Sequence, residues 1–260
     1  MFETLTNITN KKTIMKPIIE IPKELLTTRN AKTIKGEKFG WSTYILYMTP
    51  AKNNDKGVNL CPFASAGCLK SCLVGSGRGS MSNVEKGRRK RANYFVYALP
   101  MFLEQLTAEI TLIRMKHKMD KSKFTVRLNG TSDIPYENII VKDNKNIFEL
   151  FPDVIFYDYT KNPNRFKKKL PKNYSLVFSR SETNHDKAIE LLKQGVNVAM
   201  VFDKIPTKYE GFPVINGDES DLRFLDKKGS VIGLKYKSLT GKNVNNKYAF
   251  ETGFVIRTAA

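Results

Sequence analysis

The feature that most restricts the fold is an alternation of short apolar runs with segments of helical periodicity. Strands that are apolar on both faces and separated by helices are typical of parallel sheets covered by helices. Helices are predicted at residues 82–118, with a break at Pro100, and at residues 185–194. The predicted strands are residues 43–48, 124–128, 154–159, 174–179, 197–202, 214–215 and 231–234.

This pattern predicts an α/β fold, namely a complete or partial (β/α) barrel, with a doubly wound open sheet as the alternative. The chain length of 260 residues fits one barrel domain, which has roughly 250 residues. Residues 1–40 are polar and are interrupted by Pro17 and Pro22. We therefore expect an N-terminal arm over residues 1–40 and a single domain over residues 41–260.

The chain is strongly basic, because 44 Lys and Arg against 25 Asp and Glu give a formal net charge of +19. Such a surface attracts polyanions, which indicates nucleic acid or an anionic small molecule as a partner. Two basic clusters, at residues 86–91 and 161–172, are candidates for holding phosphates. The alternative is that both clusters are solvated surface and that the lysine content reflects an AT-rich genome.

The sequence contains no stretch of the roughly 20 apolar residues that a membrane helix needs. The N-terminus lacks the basic and then apolar profile of a signal peptide. We therefore expect a cytoplasmic protein without a membrane partner, in a compartment that keeps thiols reduced. The oligomeric state is left open.

The three cysteines of the chain, Cys61, Cys68 and Cys72, are separated by six and then three residues. An odd number of clustered cysteines in a reducing compartment argues against disulfides and favours a metal site. Three thiolates on one loop fit a [4Fe–4S] cluster whose fourth iron is open or takes another ligand. The alternatives are a zinc site closed by His185 or a carboxylate, and three uncoordinated thiols.

A glycine-rich segment follows the cysteines and precedes a predicted helix. Glycines permit close backbone approach, and the free N–H groups at the start of a helix attract anions. We therefore expect a cofactor-binding loop formed by Gly75, Gly77, Arg78 and Gly79, the alternative being an ordinary glycine-rich turn.

Polar side chains gather directly after the predicted strands. Barrel enzymes carry their chemistry at the carboxyl ends of the strands, so we expect these side chains to line one active-site mouth. The alternative is that the strands simply end in polar loops. The candidate catalytic residues are Asn129, Ser132, Asp133, Asp158, Lys161, Arg180, Glu182 and Asp218.

Several blocks of this sequence together resemble a family of bacteriophage proteins of the gene product 88 type. The resemblance extends from about residue 40 to residue 257 and implies a phage-encoded protein of the host cytoplasm. Some relatives are described as replication-related, which implies nucleic-acid binding as one possible role. The blocks are CPFASAGCLKSCLVGSGRG, RLNGTSDIPYE, FYDYTKNPNRF, NYSLVFSRSE, NVAMVF and VINGDESDLRFLD.

A more distant resemblance is to the radical SAM superfamily, which has three cluster-binding cysteines after the first strand of a partial or full barrel. Cys61, Cys68 and Cys72 occupy that place. Residues 129–133 follow the second strand, where the superfamily often has a Gly-Gly-Glu element holding the SAM amino group. That element is absent here, and the superfamily's cysteine spacing is three and then two. The resemblance therefore implies a cluster more directly than it implies S-adenosylmethionine.

Together these observations predict a redox or radical enzyme with an open cluster iron. The alternative is a basic nucleic-acid-binding phage protein in which the cluster is structural or senses redox state.

Overall fold

The computed structural model describes residues 19–28, 34, 36–239 and 246–258, and within them the chain builds one large β-sheet of ten strands. The strands are β1 (Leu26–Thr27), β2 (Trp41–Leu46), β3 (Lys123–Arg127), β4 (Ile155–Thr160), β5 (Tyr174–Ser179), β6 (Val198–Phe202), β7 (Lys208–Tyr209), β8 (Phe212–Asn216), β9 (Val231–Lys235) and β10 (Val255–Ile256).

The centre of the sheet is parallel, with the spatial order β2-β3-β4-β5-β6-β9-β8. The two-residue strands β1 and β7 pair antiparallel to β2 and β8, and β10 pairs parallel to β6. Strands β2 to β6 lie side by side in chain order, and the order reverses only where β9 lies between β6 and β8. The carboxyl ends of the seven central strands therefore lie at the same end of the sheet.

Six helices accompany the strands in the described residues, and most of the apolar core lies between the longer helices and one face of the sheet. We call this face the outer face. Phe102, Leu106 and Ile110 share a buried cluster with Val126 and Leu128. The helices are α1 (Ala66–Lys70), α2 (Ser82–Tyr97), α3 (Leu99–Met119), α4 (Ile147–Leu150), α5 (His185–Lys193) and α6 (Tyr248–Glu251).

The predicted break near Pro100 separates α2 from α3, whose axes are bent by 119°. Ala98 leaves the helical backbone conformation, and Pro100 lies in the first turn of α3, where a missing N–H removes no hydrogen bond. Among the described helices, none is by itself long and apolar enough to cross a membrane, although the bent pair α2 and α3 meets that test jointly.

The opposite, inner face of the sheet is crossed by the segment that follows β8. Asp221 in this segment accepts a hydrogen bond from Arg127 Nη1 at 2.9 Å and one from Tyr157 Oη at 3.0 Å. Phe224 packs edge-on against Trp41 with ring centroids 4.9 Å apart. The segment after β8, a strand near one end of the strand order, thus contacts strands β2, β3 and β4 near the other end of that order.

These observations confirm the predicted α/β class and correct the prediction of a complete barrel. The ten-stranded sheet is open within the described residues, because β1 and β7 form its edges. Residues 1–18, 29–33 and 35 of the predicted arm lie outside the described residues. Leu25 and Leu26 of the same predicted arm are buried, and the carboxylate of Glu109 on α3 accepts hydrogen bonds from both of their backbone N–H groups.

Candidate functional site

A cavity of about 240 Å³ opens at the carboxyl ends of the parallel strands, and all three cysteines line it. Its opposite wall comes from the loops after β3 and β4 and from the segment after β8. The polar residues that line it, besides the cysteines, include Arg127, Asn129, Thr131, Ser132, Asp133, Tyr159, Lys161, Ser179, Asp218, Ser220, Asp221, Lys235 and Lys237.

Backbone hydrogen bonds attach the start of the cysteine loop to the segment before it and to the loop that follows β3. Leu60 N donates to Ala51 O at 3.0 Å, and Leu60 O accepts from Asp133 N at 2.8 Å. The Cys61 thiol lies 3.8 Å from the carbonyl oxygen of Thr131, to which it donates a weak hydrogen bond. These contacts place Cys61 against the loop that follows β3.

Helix α1 carries Cys68, and Glu182 holds its first turn by accepting hydrogen bonds from Ser65 and Gly67, an arrangement that we call the Glu182 latch. The Ser65 hydroxyl accepts a hydrogen bond from Cys68 N at 3.2 Å and thereby caps the helix. The Glu182 carboxylate, in the loop after β5, accepts from Ser65 Oγ at 2.8 Å and from Gly67 N at 2.7 Å. A side chain at position 67 would overlap this carboxylate, because an added Cβ would lie 2.7 Å from Glu182 Oε2.

The electrostatics of the thiols show that they share one environment. Burial raises the pKa of Cys61 to about 12, and the neighbouring Cys72, Asp133 and Cys68 act in the same direction. Burial also raises the pKa of Cys72, Cys68 adds to that shift, and Lys161 and Arg88 oppose it. In the metal-free protein Cys61 and Cys72 are therefore neutral at physiological pH, and a metal would have to displace their protons.

Within the described part of the chain, no three His, Cys, Asp or Glu side chains stand ready-made around a single ion position. The donor set nevertheless fits a thiolate-bound centre, since three partly buried thiols line one cavity. Soft thiolates are the ligands that iron–sulfur clusters prefer, and ligand geometry commonly forms when the metal binds. His185 does not line the cavity, and its ring packs edge-on against Tyr209.

Asn129 and Ser132 form one part of the cavity wall and are fixed from below. Asn129 Oδ1 accepts hydrogen bonds from Ser132 Oγ at 2.9 Å and from Ile134 N at 2.8 Å. Asp158 lies beneath them, where it accepts from Asn129 N at 2.7 Å and from Tyr174 Oη at 3.1 Å. Burial raises the pKa of Asp158 to about 6, although the Arg127 charge and the hydrogen bonds from Asn129 oppose the shift.

Asp133 and Lys161 are joined at the mouth of the cavity. Asp133 Oδ2 accepts from the backbone N–H of Lys161 at 2.8 Å, and Asp133 Oδ1 pairs with Arg165 Nη1 at 3.2 Å. Arg165 also makes two hydrogen bonds of 2.7 Å to the Glu137 carboxylate. The Lys161 ammonium forms no ion pair with these carboxylates and donates to Ser179 Oγ at 2.7 Å.

The predicted catalytic residues therefore fall into two groups. Asn129, Ser132, Asp133, Lys161 and Asp218 line the cavity. Asp158, Arg180 and Glu182 do not line it: Asp158 supports Asn129, Glu182 latches the cysteine helix, and Arg180 Nη1 donates to the carbonyls of Gly253 and Phe254.

The predicted cofactor-binding loop lies apart from the cavity lining. Gly75, Gly77, Arg78 and Gly79 form two consecutive 3₁₀ turns before α2, and none of them lines the cavity. Arg78 is exposed, and the carbonyl oxygen of Gly79 accepts a hydrogen bond of 2.7 Å from the buried Arg88.

Both predicted basic clusters are partly engaged in contacts within the chain. In residues 86–91, Arg89 pairs with Asp55 at 2.5 Å and Lys90 pairs with Glu20 at 3.1 Å. In residues 161–172, Arg165 is buried, whereas the lysines at positions 167, 168, 169 and 172 are exposed.

Arg127 lines the cavity although the sequence does not predict it there. Ser179 and Asp221 also line it, and they belong to the polar residues that follow the predicted strands without being among the catalytic candidates. Arg127 offers the clearest signal in retrospect, because a charged residue inside the apolar strand run FTVRL requires a buried partner. That partner, Asp221, is 94 residues away in the chain, and spacing alone does not reveal it.

Comparison with known proteins gives one match. The family model described as gene product 88 matches residues 24–257 of the chain. No curated protein and no solved structure matches it.

Proposed function

The chain belongs to the gene product 88 family, a phage-type family, and we propose that it binds a [4Fe–4S] cluster through Cys61, Cys68 and Cys72. The observation that carries the proposal is that all three thiols line one cavity at the carboxyl ends of the parallel strands. Three cysteine ligands would leave one iron of such a cluster without a cysteine and open to a further ligand.

The surroundings of the thiols count against a zinc site closed by histidine. A structural zinc site takes four ligands, and His185, the histidine nearest in sequence to a cavity residue, lies outside the cavity. The Asp133 carboxylate lines the cavity, so a zinc site closed by a carboxylate is separated from a cluster by metal and sulfide analysis. Lys161 and Arg88 act electrostatically on Cys72 and would offset the negative charge of cluster-bound thiolates.

We propose further that the protein is a redox or radical enzyme built on an open, radical-SAM-like partial barrel. When bound, the cluster supplies the electron chemistry, and the chain positions the substrate and excludes water. Ser132 and Lys161 line the same cavity as the thiols, and Asn129, whose side chain bonds to Ser132, Ile134 and Asp158, fixes that part of the wall. S-adenosylmethionine is one possible occupant, although residues 129–133 do not contain a Gly-Gly-Glu string.

The test is anaerobic purification followed by iron, sulfide and zinc analysis. We expect about four iron and four sulfide per chain and a broad absorption band, as a cubane cluster gives. Single Cys→Ser variants at positions 61, 68 and 72 should lose most of the iron. Ser71→Ala, which changes a buried neighbour of Cys72, should retain it.

One zinc per chain without sulfide would overturn the cluster and favour the zinc alternative. Iron content that is unchanged in all three cysteine variants would overturn the ligand assignment. Addition of S-adenosylmethionine to the loaded protein, followed by equilibrium binding, separates a SAM-dependent enzyme from another cluster enzyme.

The alternative proposal is a nucleic-acid-binding protein, and the exposed lysines at positions 167, 168, 169 and 172 together with the net charge of +19 favour it. Charge-driven binding of oligonucleotides should weaken steeply with salt, because each neutralised phosphate releases counterions. Absence of binding at low salt would remove this alternative.

A further inference from the structure

The carboxylates of the cavity wall all form ion pairs, whereas the ammonium of Lys161 forms none within the described part of the chain. Each of its carboxylates has a cationic partner: Asp221 pairs with Arg127 at 2.9 Å, Asp133 with Arg165 at 3.2 Å and Asp218 with Lys237 at 3.5 Å. Lys161 differs, because in the described residues its ammonium forms no ion pair and donates to the neutral hydroxyl of Ser179 at 2.7 Å.

The position of Lys161 is fixed, which is a requirement for a recognition group. Its backbone N–H is held by Asp133 Oδ2 at 2.8 Å, and its ammonium lies 5.9 Å from the centre of the Phe254 ring. The side chain lines the cavity and acts electrostatically on Cys72. A fixed ammonium with only neutral partners in a concave site attracts an anionic group.

Arg127 is a second cation in the wall of the same cavity. This residue is 5% exposed, lines the cavity, and has a buried Nε without a hydrogen-bond partner among the described residues. Buried guanidinium N–H groups are normally hydrogen-bonded, so this Nε is a donor open to a ligand or a water, as are the unpartnered Nε atoms of Arg88 and Arg180 elsewhere in the described residues.

We propose that the cavity takes a small molecule bearing a carboxylate or phosphate group, and that Lys161 binds that anionic group, with Arg127 adding positive charge to the same cavity wall. The inference deepens the proposed function, since it names the ligand class for the cavity that the thiols line. A cavity of about 240 Å³ is of a size that holds a small molecule. The anionic group binds at the wall of β3 and β4, and the rest of the ligand extends toward the cysteine loop.

A rival explanation assigns Lys161 only to the charge balance of the cluster. The two roles separate experimentally, because charge balance changes the reduction potential and leaves anion binding intact. An anion-binding role changes the affinity for the anion whether or not the cluster is present.

The test uses the full chain, purified anaerobically with its cluster content measured, and titrates inorganic phosphate and acetate at constant ionic strength. Line broadening of the anion signals in NMR reports binding. We expect saturable binding of at least one anion, weakened roughly tenfold or more in Lys161→Met and largely restored in Lys161→Arg. Lys172→Met removes the same charge from an exposed position just before β5, at the amino end of that strand. This control variant should bind the anions as tightly as the unmodified protein does.

Two results would overturn the inference: neither anion binds saturably, or Lys161→Met binds the anion as well as the unmodified protein does. In the second case, a shifted reduction potential would assign Lys161 to the charge balance of the cluster. Anion binding by a preparation without iron would support the inference and count against the cluster, so the two proposals fail separately. The phosphate and acetate titrations distinguish the two sources of the anionic group.

Discussion

Removal of the Glu182 carboxylate should loosen the cysteine loop without unfolding the sheet. In Glu182→Ala, the backbone N–H of Gly67 and the hydroxyl of Ser65 lose acceptors that now lie at 2.7 and 2.8 Å. Both groups belong to the start of α1, which carries Cys68. We therefore expect the variant to expose the thiols more often and to hold metal less completely.

The magnitude follows from the two hydrogen bonds. A hydrogen bond to a charged group contributes about 1.5–3 kcal/mol, and Glu182 is partly exposed, so the pair together contributes about 2–4 kcal/mol. If the loss of these hydrogen bonds acts mainly on the local opening of α1, the fraction of molecules in which α1 is open rises by roughly 30- to 700-fold.

Gly67→Ala should reproduce the effect by a different route. Its new Cβ would lie 2.7 Å from Glu182 Oε2, so the carboxylate must move and give up its hydrogen bonds. Because both substitutions remove the same latch, their effects should not add in the double variant. The free-energy cost of the double variant should be close to that of Glu182→Ala alone.

The assay is the rate at which an aromatic disulfide reagent modifies the thiols of the metal-free protein, together with iron retention after reconstitution. Glu190→Ala is the matched control, because Glu190 on α5 is exposed and pairs only with surface groups such as Lys187 at 2.7 Å. Solvent screens this exposed pair, so the control should react like the unmodified protein. Fully additive effects in the double variant, or an unchanged rate in Glu182→Ala, would refute the latch.

Three further predictions concern the support of the site. Asp158→Asn should flatten the dependence of the unfolding free energy on pH. Because burial raises the Asp158 pKa to about 6, the protonated carboxyl contributes fully to stability below about pH 4, and this contribution of up to about 3 kcal/mol is lost as pH rises through 6. Urea denaturation at several pH values should show that loss in the unmodified protein and not in the variant. An unchanged pH profile would contradict this. Arg165→Met should cost about 3–5 kcal/mol, because it leaves the Glu137 carboxylate without its buried partner. Arg114→Met, which breaks an exposed pair, should cost less than about 1 kcal/mol, and equal costs in the two denaturation curves would contradict the difference. Gly130→Ala should cost about 1–3 kcal/mol, since its Cβ would lie 2.7 Å from a backbone carbonyl oxygen of β2, and an unchanged melting temperature would count against that clash.

The parallel strands were accessible from the sequence because buried strands need apolar runs. The predicted strand at residues 174–179 has the bounds of β5, and the prediction of residues 197–202 differs from β6 by one residue. The two-residue strands β1, β7 and β10 were missed, because two residues are too few to show a period. Their positions depend on tertiary pairing and not on local pattern.

The roles of the site residues were harder to predict than their location. The sequence predicts Asp158 at the mouth because it lies at the end of an apolar run, but successive side chains of a strand point to opposite faces. Tyr157 and Tyr159 therefore face Asp221 on the inner side, whereas Asp158 faces Asn129 and Tyr174 on the outer side. The function of Glu182 depends on hydrogen bonds to residues 115 and 117 positions away, which no local pattern encodes.

The way the cysteine loop is attached to the sheet determines what a bound metal would do to the whole fold. The loop touches the segment after β3 through Leu60 and Asp133, and the segment after β5 through Gly67 and Glu182. A ligand that joins Cys61 to Cys68 would therefore also join these two segments. Binding to the native state alone stabilises it by mass action, so metal loading should raise the unfolding temperature of the sheet as well as order the loop. The latch at Glu182 transmits this coupling to β5, and its removal should reduce the stabilisation that the metal provides.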